Sequence, residues 1–288
     1  MNRPARPLML ITGASAGLGE GFARQYAAHG WDLALTARRA DRLEALAAEL
    51  RARHGCRVLT LPLDLSEPGA PDRLVDAVEA EGLEIDGLVN NAGYSLTGGF
   101  VTLTPEQHAA MLAVMALAPT ALCRRTAPGM VRRGFGRILN VASLAGFLPA
   151  TGGDTLYGPL KSYLIKASQG LHLELKGRGV HVTALCPGYT VTEFPDVNGS
   201  RAAGDAAYPR WMWMEAASVV RAGYEACEAN RPLEIPGAVN RLLAVLARAT
   251  PNGWALKMAE RHARRLARLS RVSPGPSVAA GPPASPGA

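Results

Sequence analysis

The chain has 288 residues, 48% of them hydrophobic, enough for one α/β domain with a large buried core plus appendages. Its formal net charge of +7 collects near the C-terminus, where residues 257–271 carry six basic side chains and one acidic one; no basic stripe interleaved with aromatics marks a nucleic-acid surface elsewhere. No stretch of 18 uninterrupted apolar residues occurs, the first strand starts too early to leave room for a signal peptide, and neither the four cysteines nor the histidines show metal-ligand or disulfide-framework spacing. A cytoplasmic protein with reduced cysteines and no metal is therefore expected.

In chain order, residues 1–7 form an arm and Leu8-Met9-Leu10-Ile11 reads as a buried strand. The turn Thr12-Gly13-Ala14-Ser15-Ala16-Gly17-Leu18-Gly19 follows and opens a helix with apolar positions Phe22, Ala23, Tyr26 and Ala27. Strand, glycine-rich turn and helix start make a phosphate-binding unit. Glycines let backbone approach a pyrophosphate, and the helix N-terminus offers free N–H groups and a positive dipole end. The spacing is GxxxGxG, which is not the GxGxxG fingerprint. Trp31–Ala37 is the second strand, ending at Arg38-Arg39, and Leu43, Leu46, Ala47 and Leu50 mark the helix after it. Cys56–Leu61 is the third strand, with Asp64-Leu65 beyond it, and Asp86–Asn90 the fourth, ending in Asn90-Asn91-Ala92-Gly93.

A long helix is predicted from about Pro105 to Arg133, with Met115 on its apolar face. Gly136–Ala142 forms the fifth strand and delivers Ser143. Tyr157 and Lys161, four residues apart, share one face of the next helix. Pro159 is tolerated in a helix's first turn, so Tyr157 is expected at the N-terminus. A cation close to a phenol favours the phenolate, and a serine hydroxyl nearby can hold a substrate oxygen, so the trio suits proton transfer to a carbonyl. Val180–Cys186 is the sixth strand, followed by Pro187-Gly188-Tyr189-Thr190-Val191-Thr192, and Pro232–Pro236 is the last. His181 reads as an alternating strand residue.

These motifs together resemble the short-chain dehydrogenase/reductase family. TGASAGLG at 12–19, NNAG at 90–93, Ser143, Tyr157-x-x-x-Lys161 and Pro187-Gly188 stand in the family's order at about its spacing, across most of residues 8–192. The resemblance implies an α/β Rossmann fold over 8–236, a doubly wound parallel sheet of order 3-2-1-4-5-6-7. It implies an NADP-dependent enzyme interconverting a ketone or aldehyde and an alcohol, working as a homodimer or homotetramer on a small apolar substrate. Ser143 would orient the carbonyl, Tyr157 would protonate the alkoxide, and Lys161 would support Tyr157 and hold the nicotinamide ribose. Gly13, Ser15, Ala16, Gly17, Leu18 and Gly19 would cradle the pyrophosphate. Asp64 and Leu65 would flank adenine, with Asn91, Ala92 and Gly93 passing the cofactor along the strand ends. Pro187 and Gly188 would cover the carboxamide, with Thr190 and Thr192 beyond them reaching the phosphates. Where an acid would accept from the 2′-hydroxyl of NAD, this chain has Ala37 and then Arg38 and Arg39, which implies a 2′-phosphate and hence NADP(H).

Two departures stand near the catalytic residues. Met115 occupies a position where the family usually carries an asparagine supporting a water connected to the lysine; methionine cannot donate and is a weak acceptor. The Ser143-to-Tyr157 interval also looks one residue longer than usual. A nucleotide-binding protein of the same fold with impaired catalysis is the alternative these departures leave, alongside a membrane-surface lipid carbonyl reductase.

Residues 193–228 are expected to form the substrate lid. Tyr94, Ser95, Phe147, Tyr189, Phe194 and Trp211 are the expected pocket residues, and Tyr208, Met212, Trp213 and Met214 extend an adaptable apolar wall. Residues 237–271 read as basic amphipathic helices. Val239, Leu242, Leu243 and Leu246 repeat as one apolar stripe; a second helix over 254–269 sets Leu256, Ala259, Ala263 and Leu266 opposite its basic side chains. That second helix could lie on an anionic membrane or pack on the core or another subunit. Residues 272–288 are too poor in large apolar side chains to fold.

Overall fold

The computed structural model describes residues 4–96, 98–149, 155–192, 209–251 and 253–261. Strands β1 (Leu8–Thr12), β2 (Asp32–Ala37), β3 (Val58–Pro62), β4 (Ile85–Asn90), β5 (Gly136–Val141) and β6 (Val180–Leu185) run parallel in one sheet. They alternate with helices α1 (Gly17–Ala28), α2 (Ala40–His54), α3 (Ala70–Ala80), α4 (Pro105–Leu112), α5 (Ala118–Arg133) and α6 (Tyr157–Leu175). A two-residue pair, β7 (Thr190–Val191) with β8 (Met214–Glu215), leads into α7 (Ala216–Glu228). β9 (Leu233–Glu234) then adds to β6, and α8 (Ala238–Ala249) follows.

The sheet order is β3-β2-β1-β4-β5-β6-β9, as expected, with β9 as its short seventh strand. The chain winds outward from β1 to β3 and then returns to β4, so the ends of β1 and β4 part above a crevice where such sheets bind ligands. Every residue of β1 is buried because helices cover both faces. Met9 and Ile11 join Phe22, Tyr26 and Val220 on one side, while Leu8 and Leu10 join Leu74, Val78 and Met111 on the other. That alternation is the strand's two-residue period seen in a fully covered sheet.

A buried polar chain ties the sheet to α6. Asn90 Nδ2 donates to Asn140 Oδ1 at 2.8 Å, and Asn140 Nδ2 donates to Ser168 Oγ at 2.8 Å. The Ser168 hydroxyl in turn donates to the Leu164 carbonyl at 2.6 Å. These linked bonds hold β4, β5 and α6 in one register instead of costing stability.

Three features depart from the sequence expectation or add to it. The long helix is interrupted by a π-helical turn, Ala113–Leu117, with Met115 buried inside it. Pro119 has no N–H to offer the Met115 carbonyl four residues back, and Ala118 donates to Ala113, five back, so the wider turn takes over here. Second, the last part of the segment read as a substrate lid (193–228) is helix α7 from Ala216 onward, whose Val219, Val220, Ala226 and Cys227 are buried against the core, while 193–208 lie outside the described residues. Third, the stripe on α8 faces outward. Val239, Leu242 and Leu246 are exposed, whereas Asn240 and Ala244 are buried. No described helix is long and apolar enough to cross a membrane.

Candidate active site

The turn after β1 is built for close backbone contact. Gly17 has φ +56°, and a Cβ placed there would lie 3.3 Å from Thr192 Cβ, so the Pro187–Thr192 loop closes down on this turn. A Cβ at Gly19 would collide with the Gly13 carbonyl, which fixes glycine at that position too. Ala16 is the N-cap residue of α1 and forms no side-chain cap, and Leu18 packs against the core. Asn91 ties this turn to β4: its Nδ2 donates to the Thr12 carbonyl at 2.9 Å and to the Gly13 carbonyl at 3.2 Å. The backbone N–H groups of Asn91 and Ala92 both donate to Thr12 Oγ1.

At the end of β2 the two arginines divide their work. Arg39 lies against the glycine-rich turn, its Nε donating to Ser15 Oγ at 3.2 Å and its Nη2 to the Ser15 carbonyl at 3.3 Å. Arg38 is largely exposed and pairs with Asp64 Oδ2 at 3.8 Å. The Asp64 Oδ1 accepts from Ser66 N and Oγ. Burial would raise this carboxyl, but the two Ser66 hydrogen bonds and the Arg38 charge outweigh it and hold it below its ordinary range. Leu65 is buried beside it. Asp64 therefore closes a turn on Ser66 as well as facing Arg38, a role the sequence reading did not assign it.

The three residues read from the sequence as catalytic lie at the end of β5 and the start of α6. Ser143 leaves β5 in extended geometry, and its Oγ accepts from Ala145 N at 3.1 Å at the start of a 3₁₀ turn. Tyr157 is the first residue of α6, with Pro159 in the first turn as expected. Lys161 is 6% exposed; its Nζ donates to the Val141 carbonyl at 2.8 Å and lies 5.6 Å from the centre of the Tyr157 ring. Burial lowers the Lys161 pKa to about 8. Gly93 opens beside this ammonium: a Cβ there would be 3.6 Å from both Lys161 Nζ and Met115 Cγ. A small cavity behind the lysine is walled by Thr12, Asn90, Ala92, Met115 and Pro119. The Leu144 N–H donates to the Pro187 carbonyl at 2.8 Å, joining the serine loop to the loop that carries Gly188, Thr190 and Thr192.

The expected pocket residues scatter. Tyr189 packs on Trp213 at 5.5 Å between ring centres, and the Met214 N–H donates to the Tyr189 carbonyl at 2.9 Å. Trp211, expected in the wall, is 69% exposed on a 3₁₀ turn, because the adjacent Trp213 takes the contact with Tyr189. Phe147 packs with Leu164, Ile165 and Cys186, and the Arg248 guanidinium lies 4.5 Å over its ring, which places it under α8 instead of in an open pocket. Burial raises the Tyr94 phenol, with Arg38 and Asp64 the charges that act on it. Ser95 is half-buried next to it, and Phe194 and Tyr208 lie outside the described residues. The sequence reading missed a small, mostly apolar hollow lined by Leu96, Phe100, Leu103, His108, Met111 and Leu156, the last of these preceding Tyr157 in the chain. His181 donates or accepts nothing toward this site; its Nδ1 contacts the Cys227 carbonyl at 2.9 Å. Among the described residues no His, Cys, Asp or Glu cluster could hold a metal ion.

Residues 7–201 match the family model described as short chain dehydrogenase. The NADP-dependent 3-hydroxy acid dehydrogenase YdfG of Salmonella typhi is 36% identical over 197 residues, covering 66% of this chain and 75% of the relative. Among solved structures, the short-chain dehydrogenase from Sphingobium yanoikuyae in complex with NADPH is 34% identical with a TM-score of 0.72, over 96% of this chain and 98% of that one. The bulky-bulky ketone specific alcohol dehydrogenase from Comamonas testosteroni is 26% identical with a TM-score of 0.70, over the same shares.

The buried ammonium has a measurable consequence for folding. Burial disfavours the charged lysine, so the folded protein binds this proton less tightly than the unfolded chain does. The resulting penalty is full below about pH 8 and disappears as pH rises toward the ordinary value of 10.5. The cofactor-free Lys161→Met variant is expected to unfold with up to about 3 kcal/mol more free energy than the parent at pH 7. That advantage should shrink between pH 8 and 10.5 in denaturant titrations. A constant difference across the range would contradict it.

Proposed function

Because the chain belongs to the short-chain dehydrogenase family, we propose that it is an NADPH-dependent oxidoreductase interconverting a ketone or aldehyde and an alcohol. The observation that carries this reading is the protonatable pair at the start of α6: a buried Lys161 ammonium beneath the Tyr157 ring, next to a glycine cradle that a nucleotide's phosphates fit. The NADPH in the Sphingobium neighbour and the NADP dependence of the Salmonella relative support the cofactor.

When bound, NADPH supplies a hydride to the carbonyl carbon. The glycine turn, with Gly13, Gly17 and Gly19, would lie against its pyrophosphate, and Thr192 would close over it. Arg39, anchored on Ser15, and Arg38 would face the 2′-phosphate, with Asp64 and Leu65 at the adenine. The Ser143 hydroxyl orients the substrate oxygen. Tyr157 gives its proton to the oxygen as negative charge develops there. Lys161, held on the Val141 carbonyl, stabilises the phenolate that remains.

We assign an apolar substrate on the hollow lined by Leu96, Phe100, Met111 and Leu156 and on the Tyr189–Trp213 wall. The bulky ketones of the Comamonas neighbour agree with it; the hydroxy acids of the Salmonella relative are the polar alternative. The same reading makes the protein cytoplasmic, its four cysteines free, and oligomeric through α4–α6, where Leu117, Tyr163 and Leu173 are exposed.

Two substitutions test the assignment. Tyr157→Phe keeps the ring but has no proton to give, so turnover should fall by about 10²–10⁴-fold while NADPH affinity, read by fluorescence titration, is retained. Parent-like turnover would remove Tyr157 from the mechanism. Replacing Arg38 and Arg39 together by alanine should weaken NADPH binding by about 1.5–3 kcal/mol and leave NADH nearly unchanged. An unaltered NADPH/NADH ratio would place the 2′-phosphate elsewhere.

A further inference from the structure

The C-terminal end of the molecule has its side chains arranged inside out. On α8 the residues turned inward are small or polar: Asn240 and Ala244 are buried. In the helical segment over 253–261 the inward residue is Ala255, 7% exposed. Packing explains this choice. The Asn240 amide donates to the Pro236 carbonyl at 2.8 Å and to the Met214 sulfur at 3.4 Å, and a Cβ at Gly188 would come within 2.5 Å of Asn240 Oδ1. Only short side chains let α8 approach that closely.

Packing does not explain the outer face. Val239, Leu242, Val245 and Leu246 are 41–60% exposed, and Trp254, Leu256 and Met258 are 60–72% exposed. Singly exposed apolar residues are ordinary, but Val239, Leu242, Val245 and Leu246 share one arc of α8, and Trp254 and Met258, four apart, share one face of the helical segment after it, which marks a contact surface. The charge around them has one sign. Among the described residues of this segment, Arg241, Arg248, Lys257 and Arg261 stand against Glu260 alone. Arg241 and Arg248, seven apart, lie on one side of α8 beside the apolar arc.

We propose that this surface docks onto an anionic lipid bilayer, with the apolar side chains at the boundary between headgroups and acyl chains and the basic ones at the lipid phosphates. A helix with large apolar residues on one side and arginines beside them meets both needs of that interface, and Trp254 suits its mixed polarity. A second copy is the poorer occupant. A two-fold contact brings the same patch against itself and would set these basic residues face to face. The cytoplasmic face of a membrane offers the opposite charge.

The test is co-sedimentation of the full-length protein with phosphatidylcholine vesicles, with and without about one-third phosphatidylserine. Binding should favour the anionic vesicles by roughly tenfold or more and weaken with added salt. The Leu242→Ser/Leu246→Ser/Trp254→Ser variant should stay in the supernatant while keeping its thermal melt and NADPH affinity. Arg241→Glu/Lys257→Glu should lose the preference for anionic vesicles. A parent that stays in the supernatant with both compositions would overturn the proposal, as would equal binding to the two. So would a lack of vesicle binding combined with an oligomer that the serine variant dissociates in light scattering, which would assign the surface to a second copy.

Discussion

One constraint organises the site: the Lys161 ammonium has to be charged in a place that disfavours charge. It is 6% exposed and gives its one described side-chain hydrogen bond to a strand carbonyl, Val141, at 2.8 Å. Much of the surrounding structure can be understood as fixing that position. The Asn90–Asn140–Ser168 chain holds β5 and α6 in register, so the carbonyl and the lysine meet. Gly93 leaves room beside Nζ, and the π-helical turn carries Met115 past the same point. Desolvation raises the strength of each electrostatic interaction the lysine makes, including that with a phenolate at Tyr157.

The turn after β1 relies on a different device, backbone proximity. Asn91 fastens the glycine turn to β4, Thr192 presses on Gly17, and Arg39 is anchored on Ser15. The crevice where the sheet reverses direction therefore has one end shaped by missing Cβ atoms and the other by a buried charge. α6 begins at Tyr157, whose ring lies 5.6 Å from the Lys161 ammonium.

What could be read from the sequence follows from how local each signal is. The strands and helices were legible because apolar runs, glycine turns and helical periods alternate at short range, whereas their order in the sheet came from the family resemblance; the spacing of Tyr157, Pro159 and Lys161 placed the start of α6. The π turn also had a local sign that went unread: Pro119 denies the Met115 carbonyl its donor. The pocket was less legible, because which aromatic faces inward depends on tertiary contact. Trp213 and not Trp211 meets Tyr189, and Phe147 is claimed by Arg248 from α8, a hundred residues away in sequence by order of magnitude. The apolar stripe on α8 was legible as a period but not as a direction, since periodicity gives a face but not what it looks at.

Met115 is where a working reductase and a nucleotide-binding protein that has lost catalysis part company. Methionine gives the lysine no hydrogen-bonding relay through its side chain, while backbone carbonyls of a π turn do not depend on residue type. The most direct measurement is transfer of deuterium from NADPH deuterated at the nicotinamide C4 position to a panel of ketones and aldehydes, read by mass spectrometry of the alcohols. The account predicts deuterium at the carbinol carbon of at least one product, in step with cofactor oxidation. Tight NADPH binding with no deuterium transferred to any member of a broad panel, apolar and acidic carbonyls included, would contradict it.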